Sequence, residues 1–143
     1  MAAKRRKAYS WIRRPNTERR VHARVALEFP LDVALNTKTP SVPATVLDVG
    51  LGGVRVRFDR YLELFTRFNV SMHLPVSSEA DDMEMETIST SVAVVRIEPD
   101  EEGPPETEYT ISLAFTRLSE ADQRVIAMFM LQRLLYDPDA ELL

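Results

Sequence analysis

Arg20 and Arg24, four residues apart in Arg20-Val21-His22-Ala23-Arg24, and Asp48, which opens Asp48-Val49-Gly50-Leu51-Gly52-Gly53, are the residues best suited to ligand chemistry. A guanidinium is a planar fork. It donates two parallel hydrogen bonds to phosphate oxygens or to the O6 and N7 edge of guanine, which a lysine cannot do. An ionised carboxylate complements it by accepting from the N1 and N2 donors of guanine. Gly50, Gly52 and Gly53 are expected to allow positive φ and a close approach of backbone to ligand. Each half is common alone, since an arginine pair occurs in many basic tails and an aspartate before glycines stabilises turns. Joined across one strand, they point to a sensor of an anionic guanine nucleotide.

The elements that must position these groups are mostly strands. Val25, Leu27, Phe29, Leu31, Val33 and Leu35 recur at every second position, so odd residues should face a core and Arg24 should face outward. An extended or a helical approach both bring Arg20 to the side of Arg24. Pro30 inside this run suits an edge or a bulge. Thr45, Leu47 and Val49 alternate with Val46 and Asp48, and Val54, Val56 and Phe58 alternate with Arg55 and Arg57 beyond the glycines. That pattern predicts a hairpin with Asp48 on its outer face. Further strands are expected at 68–74, 88–97 and 109–115. Ser77 to Glu86 and Pro99 to Glu108 read as exposed loops. Ser119 and Asp122 give a helix start signal, Val125, Ile126, Phe129, Met130 and Leu134 recur at helical spacing, and Pro138 marks the end. Many short strands and one late helix predict a mainly β fold, a small antiparallel β-barrel with a C-terminal α-helix whose apolar stripe covers an open end or face of the barrel, docking in a partner groove being the alternative.

A chain of 143 residues, 45% of them hydrophobic, can bury roughly two-thirds of its unfolded surface and needs no second domain. The division expected is a basic N-terminal arm at 1–17, one domain at 18–136 and a C-terminal tail at 137–143. With no cysteine, disulfides and thiolate metal sites are excluded. No segment resembles a signal sequence or approaches the ~20 apolar residues of a membrane span, so the chain reads as cytoplasmic, with no membrane partner. Its net charge of -4 conceals an asymmetry. Residues 1 to 24 carry nine Lys or Arg and only Glu18 as acid, about +8, while the remainder is about -12. Such an arm calls for an anionic partner, or the acidic body itself, as its counter-charge, a solvated terminal run at Lys4 to Lys7 being the alternative.

At Arg20, Arg24, Asp48 and Gly53 the chain resembles the PilZ domain family, whose pattern is R-x-x-x-R ahead of the first strand and [DN]-x-S-x-x-G at the first hairpin. The resemblance covers about residues 18 to 136. It implies a receptor for the bacterial second messenger cyclic di-GMP, with the arginine segment folding over the ligand, and processes such as motility, adhesion and biofilm formation. Gly50 stands where the family has serine, which should weaken binding, and Arg19 is an extra cation that could reach a second ligand molecule. The ligand set implied is therefore Arg19, Arg20, Arg24, Asp48, Gly50 and Gly53. No cofactor or metal is expected, and a downstream protein partner is.

Catalysis finds little support, because His22 and His73 are the chain's two histidines and no H-E-x-x-H, G-x-S-x-G or phosphate-binding loop occurs. The leading expectation is a cyclic di-GMP receptor or adaptor that rearranges its N-terminal arm to regulate a partner. The alternative is a PilZ-like protein-interaction module that no longer binds nucleotide. Nucleic-acid binding by the arm is disfavoured by the acidic body and by Tyr9 and Trp11 being the arm's sole aromatics.

Overall fold

A computed structural model describes residues 23–35, 40–77 and 83–143. Among these, strands β1 (Arg24–Ala34), β2 (Val42–Gly50), β3 (Gly53–Phe58), β4 (Arg67–Ser77), β5 (Met83–Glu98) and β6 (Tyr109–Arg117) precede one helix, α1 (Glu120–Tyr136), and a short strand β7 (Glu141–Leu142). Neighbours run β2-β3-β6-β5-β4-β1, and the β1–β2 pairing closes the ring into a six-stranded antiparallel barrel. Closure removes the free edges that an open sheet of this size would expose.

The barrel is filled by one side of every strand. Leu31 and Val33 of β1, Val46 and Val49 of β2, Val54 and Val56 of β3, Val70, Met72 and Leu74 of β4, Ile88, Val92 and Val94 of β5 and Ile111 of β6 are all buried. On β1 the odd positions face inward as their alternation predicts. On β2 the expected phase holds only at Val49. Ala44 and Val46 are inward, not Thr45 and Leu47, because Leu47 is an extra residue between the Val46–Val56 and Asp48–Arg55 pairs. A bulge of this kind inverts the alternation on one side of itself. Asp48 therefore keeps its outward direction although Val46, two residues earlier, points in. Opposite Leu47, β1 also carries an extra residue between Ala26 and Phe29. Pro30 follows directly, in a stretch where β1 has β2 on one side and neither β4 nor β7 on the other. A residue without an N–H is tolerated there.

Within the segment read as a loop at Ser77 to Glu86, the described residues, Ser77 and Met83–Glu86, are strand. Leu74 pairs with Glu86 and Ser77 with Met83, so β4 and β5 form a long hairpin whose tip, 78–82, lies outside the described residues. Cross-strand backbone pairing overrides the acidic composition that suggested a loop.

Helix α1 starts at the Ser119 cap, whose hydroxyl oxygen accepts from the Asp122 backbone N–H at 3.1 Å. It buries Ile126 and Phe129 against the barrel, and the Phe129 ring meets Phe29 edge-on with centroids 5.2 Å apart. The Gln132 amide fastens it to the end of β4. Its Oε1 accepts from Ser77 N at 2.8 Å and its Nε2 donates to Ser77 O at 3.1 Å, which satisfies both backbone groups much as another strand would. The helix ends at Tyr136, before Pro138, as expected.

Residues 137–143, expected to be a tail, return to the barrel. Leu142 pairs with Val25 and Glu141 with Ala26, and Leu143 N donates to Arg24 O at 2.9 Å. The first strand is thereby held beside the very residue that carries the second arginine of the motif.

Candidate functional site

Three adjacent strands build the site on the outer face of the barrel. Arg24 lies opposite Gly50 at the start of β1, Asp48 is two residues before Gly50 on β2, and Arg55 lies directly opposite Asp48 on β3. Side chains on one face of neighbouring strands are close enough to pair across and diagonally. Both oxygens of Asp48 are taken. Oδ1 accepts from Arg24 Nε at 2.8 Å and also from one of its terminal nitrogens, while Oδ2 accepts from Arg55 Nε at 2.7 Å.

These bonds explain why a residue on the outer face is buried. Only 1% of the Asp48 side chain is exposed, against 26% for Arg24 and 41% for Arg55. The two guanidiniums roof the carboxylate and keep their outer edges in water. A buried carboxylate is tolerable only when paired and hydrogen-bonded, and this one is paired twice. The cluster carries one net positive charge, and the half-exposed arginine edges leave unused N–H donors facing solvent.

The glycines act differently from expectation. None adopts positive φ. Their value is close approach. A Cβ on Gly53 would lie 2.1 Å from Leu113 O of β6, so the β3–β6 pairing excludes any side chain there. A Cβ on Gly50 would lie 2.7 Å from Ala23 O and 2.9 Å from Arg24 Cγ. Gly50 is thus more than a serine short of its hydroxyl. It is the surface on which the start of β1, and with it Arg24, is seated.

Of the residues expected to bind ligand, the structure brings Arg24, Asp48 and Gly50 together, with Gly53 three positions beyond in the same hairpin. Arg19 and Arg20 lie outside the described residues, as does His22. Arg55 was missed as a member of the site, although alternation places it on the outer face and the hairpin turn puts it across from Asp48. Arg57, two residues on, is instead engaged with Glu28 at 3.6 Å and Glu108 at 3.5 Å. His73 is an exposed strand residue facing Thr87 and Asp32. Among the described residues no group of three or more His, Cys, Asp or Glu could hold a metal ion.

Beside the bulge opens a cleft lined by Leu27, Leu47, Glu28, Arg55, Asp137 and Glu141, among others. Its acids outnumber Arg55, so an anion is repelled from that side. Arg24, opposite Gly50 on β2, is not among the residues that line this cleft. No helix among the described residues is long and apolar enough to cross a membrane.

Comparison with known proteins agrees with this geometry. The PilZ domain family profile matches residues 18–132. A search of curated proteins gives no match. Among solved structures, the Bacillus subtilis inhibitor of motility, MotI/DgrA, superposes with a TM-score of 0.58 at 14% identity, covering 83% of this chain. This chain spans only 53% of that protein's length. The PilZ domain of YcgR from Escherichia coli, solved with c-di-GMP, superposes with a TM-score of 0.54 at 14% identity over 84% of this chain and 98% of that one. At this identity the likeness shows a shared fold.

Proposed function

The chain belongs to the PilZ domain family, and from that premise we propose that it is a cyclic di-GMP receptor or adaptor rather than an enzyme, using Arg20, Arg24 and Asp48 as its principal ligand groups. The observation that supports this most is the Arg24–Asp48–Arg55 cluster, because it sets the two family motifs in contact at the mouth of the β2–β3 hairpin. A guanine-bearing, doubly anionic ligand can exchange partners with it. Arg24 turns its fork from Asp48 to a phosphate or to the guanine O6 and N7 edge, and Asp48 then accepts from guanine N1 and N2 while Arg55 continues to neutralise it. Releasing Arg24 gives up its two bonds to a single Asp48 oxygen, a shared charge-assisted contact worth roughly 1.5–3 kcal/mol, which the ligand contacts must exceed. Arg20, and Arg19 beside it, approach with the arginine segment, so ligand binding reorders that segment and alters the surface a downstream protein reads. The presence of c-di-GMP with the similarly folded PilZ domain of YcgR supports the ligand class. The likeness to an inhibitor of motility supports motility as the process.

The doubly paired Asp48 also favours a second reading, a PilZ module that docks proteins without nucleotide. Calorimetry separates the two. Under the first, cyclic di-GMP gives saturable heat that Arg20→Ala and Arg24→Ala each abolish, and the Arg24 Nε–H resonance shifts on titration. Absence of heat at high micromolar ligand, or binding indifferent to both substitutions, refutes the first reading.

A further inference from the structure

The outer side of helix α1 is as apolar as its buried side. Beyond Arg124 that side presents Ala127, Met128, Leu131, Leu134 and Leu135, and Leu131 and Leu135 are 52% and 62% exposed. Tyr136 follows at 76%, and Leu142 of β7 is exposed as well. A helix that is apolar all round is ordinarily covered on all sides. From Ala127 to Leu135 the stripe extends about 12 Å at 1.5 Å per residue, and an exposed apolar patch of this kind marks an interaction surface.

We infer that this stripe is the resting place of the chain's own basic arm, with Tyr9, Trp11 and Ile12 laid on the leucines and the flanking cations on the acids at the stripe's end. Three observations carry the assignment. The first is where the arm begins. Residues 1–22 enter the described structure at Ala23, and Leu143 N bonds to Arg24 O, so the arm emerges where the segment following α1 terminates. The second is reach. Ten residues lie between Ile12 and Ala23, eleven steps that span at most about 36–40 Å of extended chain, three times the length of the stripe. The third is charge. The arm, residues 1–22, is about +7 and the rest of the chain about -11, and Asp137, Asp139 and Glu141 follow the last turn of the helix directly. No residue from Met128 to Leu135 other than Arg133 is charged, and Arg133 turns inward over the Phe129 ring at 5.6 Å. The stripe thus offers apolar contact along its length and carboxylates at its end, the complement of an aromatic block bracketed by arginines. The inference concerns the ligand-free protein and stands whether or not a nucleotide binds.

Trp11 is the one tryptophan in the chain, so its fluorescence reports the arm directly. In the ligand-free 143-residue protein, Trp11 emission should be blue-shifted, and acrylamide should quench it several-fold less efficiently than the tryptophan of a peptide comprising residues 1–22. Leu131→Lys with Leu135→Lys, at exposed positions and with the like charge of the arm, should return both signals to peptide values while circular dichroism stays unchanged. Deleting residues 1–17 should raise the binding of an apolar surface dye. Peptide-like quenching in the wild type overturns the assignment, as does protection that survives the lysines or dye binding that ignores the deletion. Protection present only at concentrations where light scattering shows a dimer gives the stripe to a second copy and overturns it equally.

Discussion

Replacing Gly50 by serine tests whether the glycine is a missing hydroxyl or a seat for the first strand. From the family pattern alone, serine should add a hydrogen bond and tighten ligand binding. The structure predicts the reverse. A Cβ at position 50 would stand 2.7 Å from Ala23 O and 2.9 Å from Arg24 Cγ. The arginine methylene can swing aside, but the Ala23 carbonyl is backbone, and the next residue is tethered by Leu143 N on one side and Asp48 on the other. Overpacking of this kind costs about 1–3 kcal/mol. An unfolding entropy of about 2.1 cal/mol/K per residue gives roughly 0.3 kcal/mol/K for a 143-residue chain. The thermal midpoint should then fall by about 3–10 °C. Because the displaced segment carries Arg24, Gly50→Ser should also weaken cyclic di-GMP binding in calorimetry. Unchanged melting together with tighter binding would refute the steric account and restore the hydroxyl one.

Arg24→Ala and Arg55→Ala should each cost less than about 2 kcal/mol in denaturant unfolding, since the remaining arginine still pairs with Asp48 and both are partly solvated. The double substitution removes the whole roof and opens Asp48 to water, so its cost should stay near the sum of the two single changes; a cost well above that sum would show that other groups keep the carboxylate buried and unpaired. Gln132→Ala leaves Ser77 N and O without partners and should cost about 1–3 kcal/mol. Hydrogen exchange at the Ser77 amide should speed up accordingly, and an unchanged rate would contradict the clamp. Ser119→Ala removes the acceptor for Asp122 N and should cost about 1 kcal/mol of thermal stability, with fraying confined to the first turn of α1.

Arg24, Asp48 and the late helix were legible because each rests on a local rule: period-two alternation on β1, a carboxylate before a glycine turn, and a serine cap three residues ahead of an acid. What escaped depends on pairing between distant segments. Leu47 gives no local sign of being the extra residue on β2, since a bulge exists only relative to the register of its neighbours. The burial of Asp48 escaped for the same reason. Outward parity predicts exposure, and the roof that prevents it comes from strands on both sides. Arg55 was legible in direction but not in role, because its partner is set by how the turn aligns β3 with β2. Met83–Glu86 read as loop from composition, yet eleven consecutive pairs with β4 settle it as strand. Residues 137–143 carry no strand signal beyond two leucines, and they pair because β1 still has unpaired backbone at Val25 and Ala26. The motif residues thus carry the proposed ligand chemistry, while the groups that hold Arg24 and Asp48 in place are contributed by β3 and by the segment after α1. Changes at Arg55 or at Glu141–Leu142 therefore reach the site through Asp48 and the Arg24 backbone, even though neither position belongs to the motif.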